Sequence, residues 1–336
     1  MIPQALALTA AIGGAVYSLR HAWWRATVSY SFPRILMYHM VQHHRPGSPL
    51  NGLRVPPSVF ESQLRWLRDR NWSFYTMSEL ISQWKHLPEK SVALTFDDGY
   101  ADNLINAAPI LERAGIRASF YVIAGLACTQ DRPWYDTVAR AVQTHGLESL
   151  PHPLRQHLQP NTKRDVLARA VVEHLKRLPD IERRNAVEEI AVFAGRDEPG
   201  AMDAILSGEQ LRSLVARGHE IGVHSLTHPI LTKLEGNALV PETSDARVRL
   251  QELSGASCDI FCYPNGDHND SVMKAVTEAG FRAALSTAQG INRHGANAFA
   301  LKRVFINEDW LRAPNGMQSE ALLRTELAIA YRFRGR

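Results

Sequence analysis

Cysteine is scarce in this chain of 336 residues: there are three, Cys128, Cys258 and Cys262. An odd number leaves at least one thiol unpaired, so a disulfide framework is excluded. Cys258-x3-Cys262 has no second cluster nearby with which to build a structural zinc site, and buried free thiols are expected instead. An excess of one charge is lacking too. The 38 basic residues nearly cancel the 34 acidic ones, leaving a net charge of +4. No stretch interleaves aromatics with Lys and Arg as a single-strand groove does, so nucleic acid is not implied as a partner. Internal repeats and low-complexity tracts are missing. With 45% hydrophobic and 21% charged residues, the composition is that of an ordinary globular chain, which excludes disordered and collagenous classes.

Long apolar runs are missing as well, except at the front. Within an N-terminal segment of residues 1–30, Ile2 to Leu19 carries no charge, and Arg20, His21, Trp23, Trp24 and Arg25 follow. A signal peptide carries basic residues before its apolar part, and here they come after it. The pattern is that of a short membrane anchor, with membrane association through residues 1–25, or alternatively of a helix lying on a surface. The positive-inside rule puts the remainder of the chain on the cytoplasmic side, the periplasmic side being the alternative.

After Tyr30 short apolar runs alternate with helical patterns, the signature of parallel strands joined by crossover helices. Candidate strands are Ile35 to Tyr38, Trp72 to Tyr75, Val92 to Phe96, Ala118 to Val122, His219 to Val223, Ile260 to Tyr263, Ala283 to Leu285 and Leu301 to Phe305. About eight such strands fit a closed (β/α) barrel. Helices are expected between them: Pro57 to Asp69 opens on proline and serine, and Asn103 to Ala114 and Asp270 to Ala279 each end at a glycine, as helix C-caps do. One interval breaks the rhythm. Residues 126–215 read largely as amphipathic helix, notably Pro133 to Val142, Thr162 to Lys176 and Asp180 to Phe193, so a helical insertion is expected within a barrel spanning 31–310, with a helical tail over 311–336.

The run Val92-Ala93-Leu94-Thr95-Phe96-Asp97-Asp98-Gly99 is an apolar strand ending in two adjacent carboxylates and a glycine. Two like charges there repel each other and lose hydration, and a metal ion would relieve both while keeping one carboxylate free as a base. Alone, the run also reads as an Asp-Asp-Gly turn capping a helix. The second cluster, His224-Ser225-Leu226-Thr227-His228, again follows a strand and sets two imidazoles four positions apart. Alone these could be packing or capping histidines. With a carboxylate they give three ligands and an open position for water.

These two runs resemble the first two motifs of the polysaccharide deacetylase family, the NodB-homology domain of carbohydrate esterase family four. Thr95 to Gly99 matches Thr-Phe-Asp-Asp-Gly at every position, and His224 to His228 matches His-Ser/Thr-x-x-His. The resemblance spans roughly residues 35–306 and implies an α/β fold, a distorted (β/α) barrel of NodB-homology type with the helical insertion. It implies Asp97 as catalytic base and Asp98, His224 and His228 as ligands of a divalent metal, Zn first, with Co or Ni as alternatives. The third family motif, Arg-x-Pro-Tyr, appears as Cys262-Tyr263-Pro264-Asn265, without its arginine, which in the family orients the catalytic aspartate. Asn265 can still offer a backbone N–H to an oxyanion, and Tyr263 stands with it as a substrate-side candidate. The family's late Leu-x-His, source of its general acid, has no counterpart after Leu301. Instead Leu36-Met37-Tyr38-His39 closes the first strand, resembling the circularly permuted exopolysaccharide (poly-N-acetylglucosamine) deacetylases and implying His39 as the acid, with His268 and His294 as rivals. First and last strands of a closed barrel are neighbours, so such a move preserves geometry. The activity expected is removal of N-acetyl groups from amino sugars of a polysaccharide. The alternatives are a deacylase or deformylase of a lipid-linked amino sugar, and a carbohydrate-binding pseudoenzyme, to which the missing arginine points.

Overall fold

The computed structural model describes residues 30–129, 131–155, 162–195, 200–307, 311 and 319–328. Eight strands run in the expected order: β1 (Arg34–Tyr38), β2 (Ser73–Tyr75), β3 (Ser91–Phe96), β4 (Ser119–Val122), β5 (Glu220–Val223), β6 (Ile260–Cys262), β7 (Ala283–Gln289) and β8 (Leu301–Phe305). All pair in parallel. β1 joins β8 on one edge and β3 on the other, closing the ring β1-β8-β7-β6-β5-β4-β3. The ring therefore has seven strands rather than eight. The reason lies on β3, whose outer edge is shared: Ser91 to Ala93 pairs with β2, and Thr95 and Phe96 pair with β4. β2 fills the gap below β4 and distorts the barrel without closing it.

Period-two alternation divides each strand between two cores. Leu36, Tyr38, Leu94, Phe96, Val122 and Val223 belong to the large cluster packed against the surrounding helices. Ile35, Ala93, Tyr121, Ile260, Leu285 and Leu301 fill a second cluster inside the ring, to which Met77 and Leu80 also belong. Those two come from α2 (Met77–Ser82), which Thr76 and Glu79 start with a reciprocal capping box. The other ring helices are α1 (Pro57–Arg68), α3 (Ala108–Arg113), α8 (Gly208–Ala216), α9 (Ala246–Ser254) and α10 (Asp270–Glu278). A π-helical turn, Asn103–Ala107, precedes α3. At the C-terminal end α11 (Glu320–Ala328) buries Leu323 and Leu327 in the large core.

The interval between β4 and β5 holds α4 (Trp134–His145), α5 (His152–Arg155), α6 (Arg164–Leu175) and α7 (Asp180–Ala194). They pack around a small core of their own that includes Trp134, Val138, Val142, Leu167, Val171 and Ile190. All three cysteines are free; Cys258 and Cys262 are buried, whereas Cys128 is exposed. The apolar segment before Tyr30 lies outside the described residues, and among those described no helix is long and apolar enough to cross a membrane.

Candidate metal centre and active site

Six of the candidates follow the C-terminal ends of strands, and the ring gathers these six at one mouth. There they line a cavity of about 520 Å³ with His39 after β1, Asp97 and Asp98 after β3, His224 and His228 after β5, and Asn265 after β6. The insertion supplies much of the opposite wall through Tyr135 and Ala139 of α4 and Ala168 and Val172 of α6. The backbone is held in an uncommon state here. Of the eight non-glycine residues with positive φ among those described, four are Asp98, Ser225, His228 and Asn265, a concentration of left-handed backbone that marks functional sites. Gly99 follows Asp98 at φ +78°, and a Cβ on it would stand 2.8 Å from the Val122 side chain. The Asp-Asp-Gly order is thus fixed by backbone as well as by charge.

Asp98 Oδ1 lies 3.4 Å from His224 Nε2 and 3.6 Å from His228 Nε2. All three side chains are nearly out of contact with solvent, and their ligand-type atoms fall within 4.8 Å of one another. The His224 Nδ1 lies 2.7 Å from the Cys262 carbonyl; donation there leaves Nε2 facing Asp98, carrying a proton or, once that proton is lost, a lone pair. Burial, and then His224 beside it, hold the His228 imidazole down to about 3, so it is a neutral donor. Burial pushes the Asp98 carboxyl up, but the His224 hydrogen bond and the nearby histidine charges carry it well below its ordinary range. At His224 burial opposes charge, yet Cys262 and the Asp98 carboxylate raise the ring well above its usual value. The spot favours a cation, for which a proton and a divalent metal would compete. Two neutral-capable imidazoles and one carboxylate, nearly dry and convergent, fit a divalent ion of the zinc type. Asp97, His224 and Cys262 also come close enough to form a triple, but both Asp97 oxygens are already taken.

They are taken by Arg303, which no reading of the sequence singled out. From β8, inside the ring, its Nη1 donates to Asp97 Oδ1 at 2.7 Å and its Nη2 to Oδ2 at 2.6 Å. Nη1 also donates to Thr95 Oγ1, Nη2 to Cys262 Sγ and Nε to the Ser286 carbonyl. All five guanidinium N–H groups are thereby used, and the residue is 0% exposed. Burial raises the Asp97 carboxyl, and the charge and hydrogen bonds of Arg303 outweigh it, leaving the group below its usual range. A second unforeseen residue is Glu242, whose carboxylate accepts from the Leu226 and Thr227 N–H groups and the Thr227 hydroxyl. It pins the loop between the two histidines. The His228 carbonyl is held by Trp134 Nε1 at 2.9 Å, which ties the insertion to the centre.

His39 lines the same cavity, edge-on to Phe305, and its Nδ1 is buried without a hydrogen-bond partner. Burial depresses its imidazole, against the pull of Asp98 and Asp97. Its rivals stand elsewhere: His268 stacks on Tyr263 and His294 packs against Phe32. Asn265, at φ 56°, turns into the cavity, with its carbonyl held by Thr287 and its side-chain amide donating to Asp267. Tyr263 does not line the cavity: it is buried, and its hydroxyl donates to the Phe299 carbonyl at 2.9 Å. Its place is beneath the Asn265 turn, as a support.

Residues 85–284 match the family model described as polysaccharide deacetylase. The Bacillus subtilis protein YxkH is 24% identical over 289 residues, which cover 85% of this chain and 75% of that one. Over 73 residues the chain is 37% identical to the poly-beta-1,6-N-acetyl-D-glucosamine N-deacetylase of Staphylococcus aureus, covering 21% of this chain and 25% of that protein. Among solved structures, the Streptococcus pyogenes deacetylase PplD superposes with a TM-score of 0.59 at 21% identity, over 88% of this chain and 98% of that one. IcaB from Ammonifex degensii gives 0.55 at 20% identity, over 83% and 93%. At these identities the structural likeness establishes the barrel fold.

Proposed function

This chain belongs to the polysaccharide deacetylase family, and from that premise we propose that it hydrolyses the N-acetyl groups of an amino-sugar polymer of the poly-N-acetylglucosamine kind. The carrying observation is the division of labour between adjacent carboxylates: Asp97 is locked to Arg303, while Asp98 faces two histidines. Asp98, His224 and His228 would hold a divalent ion, Zn before Co or Ni, which when bound polarises the acyl carbonyl and acidifies water. Asp97, kept ionised by Arg303 and fixed in orientation, removes a proton from the attacking water at its carboxylate oxygen. The Asn265 backbone N–H donates to the developing oxyanion. His39 delivers a proton to the departing sugar amine; burial makes its imidazolium a stronger acid than the free side chain.

The pseudoenzyme reading rested on the missing third-motif arginine, and Arg303 supplies a guanidinium to the same aspartate from another strand. Among the described residues nothing in the cavity singles out a lipid-linked substrate over a polymer. Membrane attachment through residues 1–25, with the barrel on the cytoplasmic side, is proposed from the sequence alone; recovery of the full chain in the soluble fraction would refute it. The activity is tested by acetate release from a β-1,6-linked N-acetylglucosamine oligomer after chelation and after return of Zn. Loss on chelation and recovery with metal are expected, and release unaffected by a chelator that strips the protein would sink the proposal.

A further inference from the structure

A second, smaller hollow of about 70 Å³ adjoins the catalytic cavity, and Pro49, Leu50 and Ala139 line both. The remainder of its wall is polar, with three cations against one carboxylate: Arg45, Arg54 and Arg140, the neutral Ser48 and Gln143, and Asp136. The carboxylates nearby are already committed. Arg45 grips both oxygens of Asp203, at 2.6 and 2.8 Å, and Asp136 faces Arg132 at 3.7 Å. Asp102, pushed up to about 8 by burial, is a neutral acid at pH 7.

Arg54 is left over. It is 4% exposed, and among the described residues no carboxylate comes within ion-pair reach of it. Its Nη1 donates to Ser48 Oγ at 3.0 Å, but its Nε is buried without any acceptor. Asp203 and Asp136 act on it only at a distance, against burial and the like charge of Arg45. A buried guanidinium with neither a contacting counterion nor a full set of acceptors is strongly unfavourable, and an anion seated beside it removes both defects. The hollow has the size for one small group and not for a sugar ring. The planar fork of arginine suits the paired oxygens of phosphate or carboxylate, and Ser48 and Gln143 add neutral polar groups to the same wall.

We infer that this hollow is an oxoanion site, with Arg54 as its anchor and Ser48, Gln143 and Arg140 around it. The anion is either free or a substituent on the polymer whose acetylated residue occupies the adjoining cavity.

Inorganic phosphate titrated by calorimetry into the metal-loaded full chain is expected to show a saturable site. That site should weaken at least tenfold in Arg54→Gln and in Gln143→Glu, which puts a second carboxylate into the hollow. Gln143 is only half-buried and outside the catalytic set, so Gln143→Glu is expected to fold. A KM for a phosphate- or carboxylate-bearing oligomer that rises in both variants assigns the site to substrate; an unchanged KM alongside lost phosphate binding assigns it to a free anion. Absence of saturable phosphate binding in the wild type, or binding that both variants keep undiminished, overturns the inference. The KM comparison rests on the proposed deacetylase activity, whereas the phosphate-binding outcomes hold whether or not the cavity next door deacetylates.

Discussion

At Asp97 burial and Arg303 pull in opposite directions, and Arg303 prevails. Removing the arginine while keeping its bulk, as Arg303→Met, leaves a buried carboxylate with no partner. Its pKa must then rise, so the acid limb of the kcat/KM profile is expected to move to higher pH, with a stability loss of about 3–5 kcal/mol. Arg303→Lys keeps the charge but loses the fork, and should restore the acid limb more fully than the rate. An acid limb that stays put in Arg303→Met contradicts the positioning role. The signal for Arg303 was present in the alternation of Leu301-Lys302-Arg303-Val304-Phe305, which sets the arginine on the same face as two apolar residues. A cation on a core face needs a partner. The partner is 206 positions away in sequence, and local pattern carries no information about that distance. The candidate base Asp97 and the candidate ligands Asp98, His224 and His228 were legible for the opposite reason: they sit in short runs whose chemistry is local.

The strands were the most legible elements, because a strand buried on both faces reads as a nearly continuous apolar run, as in the fully buried Ser91–Phe96, where only Ser91 and Thr95 are polar. What could not be read was pairing. Nothing in Ser73–Tyr75 says that it shares an edge of β3 with β4 instead of taking a place in the ring. The insertion was visible as helix, but its contribution to the cavity was not, since Ala139 and Val172 look like ordinary core positions of amphipathic helices. Close strand packing also constrains the site. At Gly222, two residues before His224, a Cβ would overlap the Tyr121 ring and lie 2.9 Å from the Ile260 carbonyl. Gly222→Ala is therefore expected to push β5 from its neighbours, costing about 1–3 kcal/mol and weakening metal binding by displacing His224. Wild-type denaturant midpoint and metal affinity in that variant would show that the contact relaxes freely.

For the molecule as a whole, the buried Asp102 links stability to pH. Its folded-state value is raised to about 8 from an ordinary 3.8, so the folded chain keeps a proton that the unfolded chain releases. Stability is then expected to fall as pH rises through the interval between those values, by up to about 1.4 kcal/mol per pH unit from this group, and to level off above it. Urea midpoints compared between wild type and Asp102→Asn should show a shallower decline in the variant; parallel declines would mean that other groups govern it. The barrel, its insertion and the cavity between them serve one arrangement, a base and a metal ligand side by side with separate duties. The most direct test measures metal content and acetate release on the same samples of wild type, Asp97→Asn and Asp98→Ala. One divalent ion per chain and active release are expected for wild type, full metal without release for Asp97→Asn, and neither for Asp98→Ala. Release retained by Asp97→Asn, or full metal retained by Asp98→Ala, would contradict the assignment.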